Sequence, residues 1–517
     1  MLARVSPGPR SASFVQVLPR AVKAPRTITF DKAFAIATLF FANNIAVAPL
    51  KAYLNEPLPW GLPPSSNLTR LDLAASLPVV YANISTAYHF DSATFTDVLL
   101  RQPSAFSGSC LAHLTVLAGA PFYGDGLRAA VCAYIDVNAS APFSFCQEMY
   151  LFRKLVGHGC VWTRQVANQT VFYYATRAVF ETNVVWFKLF YRIALTLYAS
   201  VQLWRCYYRQ YASLLRTLRN RSSAVHVVRY HVFVGDPTGV VLSDPLLVLA
   251  FLVDIFLSSY QLTASILHLG EIDDIVQFSL GAFYLSRLVW AVFFGMRYGT
   301  YIIKFLRCER HFSSLDTTAM TVLTLGLTAT ISLIVAHSPL MGMYHWMNAL
   351  GLVEETAPVA IEIAASAIAL AVCTAATPLH LALALAFCRR HRGKRTFSFR
   401  RNQNVKQRVL FTCHRDHVVE HEGGSLYRLF KLNPRYRRLP LVGLEGADCF
   451  VDGYDSTGTV VLRLRLSLMD VALDQRVSGD AVKLDHHSGE DDFCTLSNAP
   501  TGKASTTPTP SSSPWLL

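Results

Sequence analysis

The stretch LLVLAFLVDIFLSSY, residues 246–260, holds one carboxylate, Asp254, in a run otherwise made of large apolar and small polar residues. In a soluble protein it would read as a buried helix. The rest of the chain points to a different solvent: of 517 residues, 52% are hydrophobic and only 16% charged, and the mean hydropathy is +0.31. That balance favours lipid over a water-facing surface. A bilayer-spanning helix needs roughly 20 mostly apolar residues, and the windows 31–50, 183–204, 245–267, 275–296, 317–337 and 358–388 meet that need. Pro378 is expected to kink or end the last of them.

The net charge of +13 becomes a question of placement. Lys and Arg resist translocation and collect in short cytoplasmic loops. With residues 1–30 inside, six spans place the C-terminus inside too. Basic residues then fall where that layout wants them: Arg205, Arg209, Arg216, Arg219, Arg221 and Arg229, next Arg297, Lys304, Arg307 and Arg310, and finally RRHRGKR from Arg389. The predicted outer loops 268–274 and 338–357 carry acids and no Lys or Arg. Such basic loops suit anionic lipid headgroups and do not imply nucleic acid. The first span resembles a signal anchor; Ala46-Val47-Ala48 looks like a cleavage site, but Pro49 should hinder a peptidase, which favours an uncleaved helix.

Residues 51–182 form the one long outer segment. N-x-S/T sequons at Asn67, Asn83, Asn138 and Asn168 account for four of its five asparagines, which points to a secretory lumen. Cys110, Cys132, Cys146 and Cys160 lie in the same segment. On an oxidising face they are compatible with two disulfides in any of three pairings. The other seven cysteines form no CxxC pair, so no zinc ribbon is indicated.

A charge at a helix centre costs about 2.5–3.5 kcal/mol on insertion scales, so Asp254 should face a partner. The next span contains Arg287. Each lies nine residues inside the cytoplasmic end of its helix, about 13 Å at the rise of an α-helix, and a hairpin would bring them together. Taken alone, such a pair predicts that reversing both charges restores what either reversal loses. It can fix hairpin register or serve gating; a neutralised pair leaves little charge to move, which favours register. Lys188, Arg192 and Glu362 are the other intramembrane charges. Lys188 and Glu362 fall near the outer boundary, where they can snorkel or pair. The fifth and sixth spans are rich in small and hydroxyl residues, which suits close helix packing or a Thr-lined path.

On the cytoplasmic side, VHVVRYHVFVGDPTGVVLSDP reads as a hairpin within the 205–244 loop, and residues 389–475 read as a small β-rich domain in which VLRLRLSL (461–468) alternates. From 476 to 517 the chain is polar and is expected to be disordered. His417-Val-Val-Glu420-His421 matches an inverted zinc-peptidase motif by letter, but its Val-rich context and the following Glu-Gly-Gly suggest a strand entering a turn. No metal, cofactor or catalytic set is expected. RNRSSAV, VFVGDPTGVVLSDP and LVDIFLSS, with the anchored and sequon-rich first loop, resemble a group of multi-pass membrane proteins from oomycetes; that resemblance implies an architecture and no activity.

The expected fold is an α-helical integral membrane protein of about six transmembrane helices, with a disulfide-containing outer domain and a small β-rich cytoplasmic tail domain. The expected role is surface recognition, receptor-like, in the plasma membrane or secretory pathway, with an extracellular ligand or partner protein. A channel or transporter using spans five and six is the alternative.

Overall fold

The computed structural model describes residues 26–62, 68–101, 110, 114, 116–137, 141–166, 169–220, 227–269, 274–336, 338, 340–349, 358–391, 405–413, 421–438, 447–469, 473–474, 482–486, 493–498 and 514–517. Apolar helices join two sheets. Four helical runs are long and apolar enough to cross a membrane: Thr182–Arg219, Ile275–Phe305, Thr317–Ile334 and Ala364–Cys388. Two bent pairs raise the number to six if each counts as one span. They are Lys32–Ala46 with Leu50–Gly61, bent by 78°, and Pro245–Leu257 with Ser259–Leu269, bent by 69°.

Both bends have local causes. The first falls at Pro49, which starts a 3-10 turn at Leu50. The second falls at Ser258-Ser259, where the Ser259 hydroxyl donates to the Phe256 carbonyl and competes with the helix ladder. The quoted stretch is therefore not one straight span. It is a 13-residue helix, Pro245–Leu257, followed by a turn and a second helix. Asp244 caps its start by accepting the Leu246 and Leu247 amides.

Ile275–Phe305 approaches the last apolar helix closely. A Cβ added at Gly295 would overlap the Ala375 carbonyl. Small residues on both helices allow that approach. Gly295→Leu must separate the helices and is expected to cost about 1–3 kcal/mol, read as a lower melting temperature of the detergent-purified chain; an unchanged melting temperature would mean the contact is absent. Five threonines of the two Thr-rich helices spend their hydroxyls on their own helix. Thr321, Thr324, Thr330, Thr374 and Thr377 each donate to the carbonyl four residues earlier. That accounts for them without a water path.

The first sheet has six strands in the order Tyr88–Asp91, Thr96–Arg101, Gln169–Ala178, Lys154–Val166, Ser144–Leu151 and Ala360–Glu362. All neighbours are antiparallel except the last pair. Both faces are covered, which is why its long strands are buried throughout their middles. Helix Arg70–Val80 packs Leu73 and Leu77 on one face beside Trp162, Tyr173, Cys146 and Cys160. Phe122, Leu127 and Val131 cover Val161, Phe172 and Tyr174 on the other. The window 358–388, expected to be one helix, instead begins with the edge strand Ala360–Glu362, and its helix runs Ala364–His391 straight through Pro378. Glu362 supplies the reason: its carboxylate accepts the amides of Phe152, Arg153 and Ala364, which ties the segment to a sheet turn.

Helix Leu340–Ala349 docks on this domain through His345. The imidazole Nε2–H donates to the Ala120 carbonyl at 2.9 Å, and Nδ1 accepts from the Arg128 guanidinium at 3.1 Å. That ring must be neutral, and burial, followed by the Arg128 charge, pulls its pKa down to about 4. The unfolded chain, titrating near the ordinary value of about 6.5, takes up the proton first. Stability is complete above that value and is lost as pH falls toward 4, by about 3 kcal/mol at most. Melting temperatures at pH 7.5 and 4.5 should differ more for the native chain than for His345→Gln; parallel shifts would reject the linkage.

The second sheet is built from distant pieces. Its order is Thr27–Phe30, Arg229–Phe233, Cys449–Tyr454, Val460–Leu468, Trp515–Leu516, Cys494–Asn498 and Val482–His486, with Glu422–Gly423 pairing Val460–Leu468. Alternation along Val460–Leu468 sends Leu464 and Leu466 into the core. Arg465 and Ser467 point the other way, to the buried Asp448 carboxylate. Residues 227–243, described from within the expected hairpin, do not form one: they give one strand, then helix Thr238–Val241, because Asp236 accepts the Thr238 amide and hydroxyl and so starts a helical turn. Nor is the whole 476–517 tail without structure. Trp515 is fully buried, its indole donating to the Gln210 carbonyl at 3.0 Å, and Leu516 packs beside Tyr427 and Phe430.

Candidate ligand site beside a buried charge cluster

Asp254 and Arg287 are brought together as an ion pair, within a larger cluster. The Arg192 guanidinium, with no exposed surface, sits at its centre. Its two terminal nitrogens donate to the two oxygens of Glu56, each at 2.9 Å, while Nε donates to Asp254 at 2.8 Å. Ser258, buried at the corner of the bent helix pair, accepts a further bond at 2.7 Å. Glu56 also accepts from Ser258 at 2.8 Å and Tyr284 at 2.6 Å, and Lys188 approaches it to 3.5 Å. Arg287 bonds the Tyr284 hydroxyl at 2.7 Å. Tyr53 lies over the Arg192 guanidinium, 4.8 Å from ring centroid to Cζ.

Two carboxylates thus face three cations, so each ion has partners and hydrogen bonds that offset its desolvation. Lys188 and Glu362, which a depth argument allows to pair, do not meet: Lys188 reaches Glu56, and Glu362 stays in the sheet turn. Glu56 is the member that sequence reasoning missed. It lies beyond the first apolar window, and only the bend at Pro49 returns it to the helices. The usable signal was the apolar pattern resuming after Pro49.

The same segment forms one side of a cavity of about 490 Å³ between the first sheet and the helices. Glu56 borders it from the charge cluster, Phe95 and Asp97 from the sheet, and Gln261 and His268 from helix Ser259–Leu269. Its size falls in the range of small-molecule sites. Two features mark it as more than a packing gap. Phe95 has φ +51°, which a bulky side chain adopts only when its surroundings force it. Here Asp91 fixes the turn by accepting the Ala93 amide, the Thr94 hydroxyl and the Tyr81 hydroxyl. Gln261 Oε1, in turn, is buried without a hydrogen-bond partner among the described residues.

The other sequence-marked residues lie elsewhere. Asn83 is exposed on a turn after helix Arg70–Val80, while Asn67, Asn138 and Asn168 lie outside the described residues. The four cysteines form the pairs Cys110–Cys132 and Cys146–Cys160. His417 and Glu420 lie outside the described residues; His421 packs edge-on against Phe450 with Asp452 at 3.4 Å. Among the described residues no three His, Cys, Asp or Glu side chains are grouped to hold a metal. No family model, curated protein or solved structure matches this chain.

Proposed function

We propose that the chain is a multi-pass membrane protein that recognises a small ligand in the cavity between its first sheet and its helices, with the second sheet on the opposite, cytoplasmic side. The observation that carries this reading is that the cavity takes its walls from both parts, so a bound ligand would bridge them. Recognition by a rigid sheet, transmitted to helices that also hold the second sheet, is receptor-like. The sequons and the two disulfides support a lumenal or extracellular first domain, and the basic loops support contact of the other side with anionic headgroups.

A transporter is the second reading, and the two bent helix pairs favour it. Glu56 lies on the second arm of one and Ser258 at the corner of the other, and discontinuous helices around intramembrane polar groups recur in secondary transporters. The experiment that tests the proposal is a stability screen of the purified full-length chain against small molecules, repeated with Trp60→Ala at the cavity rim. Stabilisation that the variant loses is expected; stabilisation the variant keeps would remove the cavity from the function. Solute-selective uptake into proteoliposomes by the same hits would replace recognition with transport. Glycosidase sensitivity at Asn83 in intact cells is expected, and its absence with a cytosolic epitope there would overturn the topology.

A further inference from the structure

Resting on the recognition reading, we infer that the cavity takes a small organic ammonium ion whose charge faces Asp97 and whose hydroxyl or N–H donates to Gln261. The charge balance argues for a cation. Among the described residues no Lys or Arg lines the cavity, whereas Asp97 and Glu56 do. The Glu56 charge is already cancelled by Arg192, Lys188 and Arg287. Asp97 is different. Its Oδ1 receives the Tyr88 hydroxyl at 2.7 Å and lies 3.4 Å from His268 Nε2, while Oδ2 has no hydrogen bond among the described residues. The Asp97 side chain is only 9% exposed, so an unmatched charge there is costly and a matching ligand charge correspondingly rewarded.

The walls fit the same chemistry. Trp60, Tyr88, Phe90, Phe95, Phe180 and Tyr260 line the cavity, and ring faces attract alkylammonium groups more strongly once water is excluded. Phe95 is held edge-on to both Phe90 and Phe180, with centroids 5.9 Å and 5.5 Å away. This gives a use to its strained backbone, because the turn places the ring between its two neighbours. Gln261 Oε1, an unsatisfied acceptor, asks for a donor on the ligand.

The test is equilibrium binding of tritiated choline to the full-length chain in maltoside micelles at pH 8. Its uncharged isostere 3,3-dimethyl-1-butanol has the same shape and hydroxyl and serves as competitor. Saturable choline binding, at least tenfold tighter than the isostere, is expected, with a tenfold or greater loss in Asp97→Asn at an unchanged melting temperature. The isostere comparison uses the native chain, so a misfolded variant does not blunt it. Isostere binding as tight as choline overturns the cation and leaves the recognition reading standing; a cavity that admits neither removes both. The same ammonium group could be presented by a free solute or a phosphatidylcholine headgroup. Choline binding that survives in phosphatidylethanolamine nanodiscs and is unaffected by adding phosphatidylcholine assigns the free solute; displacement by the lipid assigns the headgroup.

Discussion

Arg192→Met is expected to cost about 3–5 kcal/mol of folded stability, since it leaves buried charges without their partner. Fluorescence-detected size exclusion of the detergent-solubilised chain should show the monodisperse peak largely lost. Arg192 is singled out because it makes two bonds to Glu56 and one to Asp254, where Arg287 makes one to each, the one to Glu56 at 3.5 Å. Arg287→Met should cost less, because Asp254 keeps Arg192 and Glu56 keeps Arg192 and Lys188. Lys188→Met should cost least: Lys188 has the longest contact to Glu56 of the two cations on its helix and keeps the most exposure. The cluster also changes the result expected of a charge swap. Asp254→Arg with Arg287→Asp preserves a pair but sets the new Arg against Arg192 and the new Asp beside Glu56, so the swap should fail to rescue. Recovery of the native profile by that swap would mean that Asp254 and Arg287 act as an isolated pair and that Arg192 is not their neighbour.

That contrast locates what the sequence could and could not reveal. Asp254 and Arg287 were legible because they sit on consecutive apolar windows joined by a short loop, where a constant rise per residue converts position into depth. The conversion survives the corner at Ser258 and the 3-10 turn Ser286–Leu288 because both lie close to the charges themselves. Glu56 escaped because hydropathy ends the first window at Leu50, and the apolar pattern that resumes after Pro49 is too short to register as a span of its own. Glu362 misled for the opposite reason: its apolar context reads as helix, while its carboxylate is taken by two amides of a distant turn, Phe152 and Arg153, and by the nearby Ala364 amide. Trp515 and Leu516 disappeared into a polar window average, although one indole and one leucine were enough to dock that end of the chain. The cavity was not legible at all. Asp97 and Gln261 are 164 positions apart, and only the packing of sheet on helix makes them neighbours.

Removing the disulfides is expected to have the next largest effect. Four cysteines allow three pairings, and the structure assigns Cys110 to Cys132 and Cys146 to Cys160. They close segments separated by 22 and 14 positions, for which the chain-entropy account gives about 3 kcal/mol each. Loop length barely separates the two, so local structure must. Cys146 and Cys160 sit opposite each other on adjacent antiparallel strands whose register the ladder already fixes. Cys110 has no such ladder, and its bond to helix Asp125–Asp136 holds it in the core with Phe122 and Val131. Replacing Cys110 and Cys132 with Ser should therefore lower the melting temperature more than replacing Cys146 and Cys160, and should expose the 110–132 segment to limited proteolysis. Equal or inverted losses would place the sheet, not the segment, under control of the covalent link. Mass-tag alkylation of the denatured, unreduced chain from cells supplies the independent check. These four cysteines should be protected while the free thiols Cys206, Cys308, Cys373, Cys388 and Cys449 react. Protection of the four requires an oxidising compartment, so modification of all of them would put the first sheet in a reducing compartment and overturn the proposed orientation.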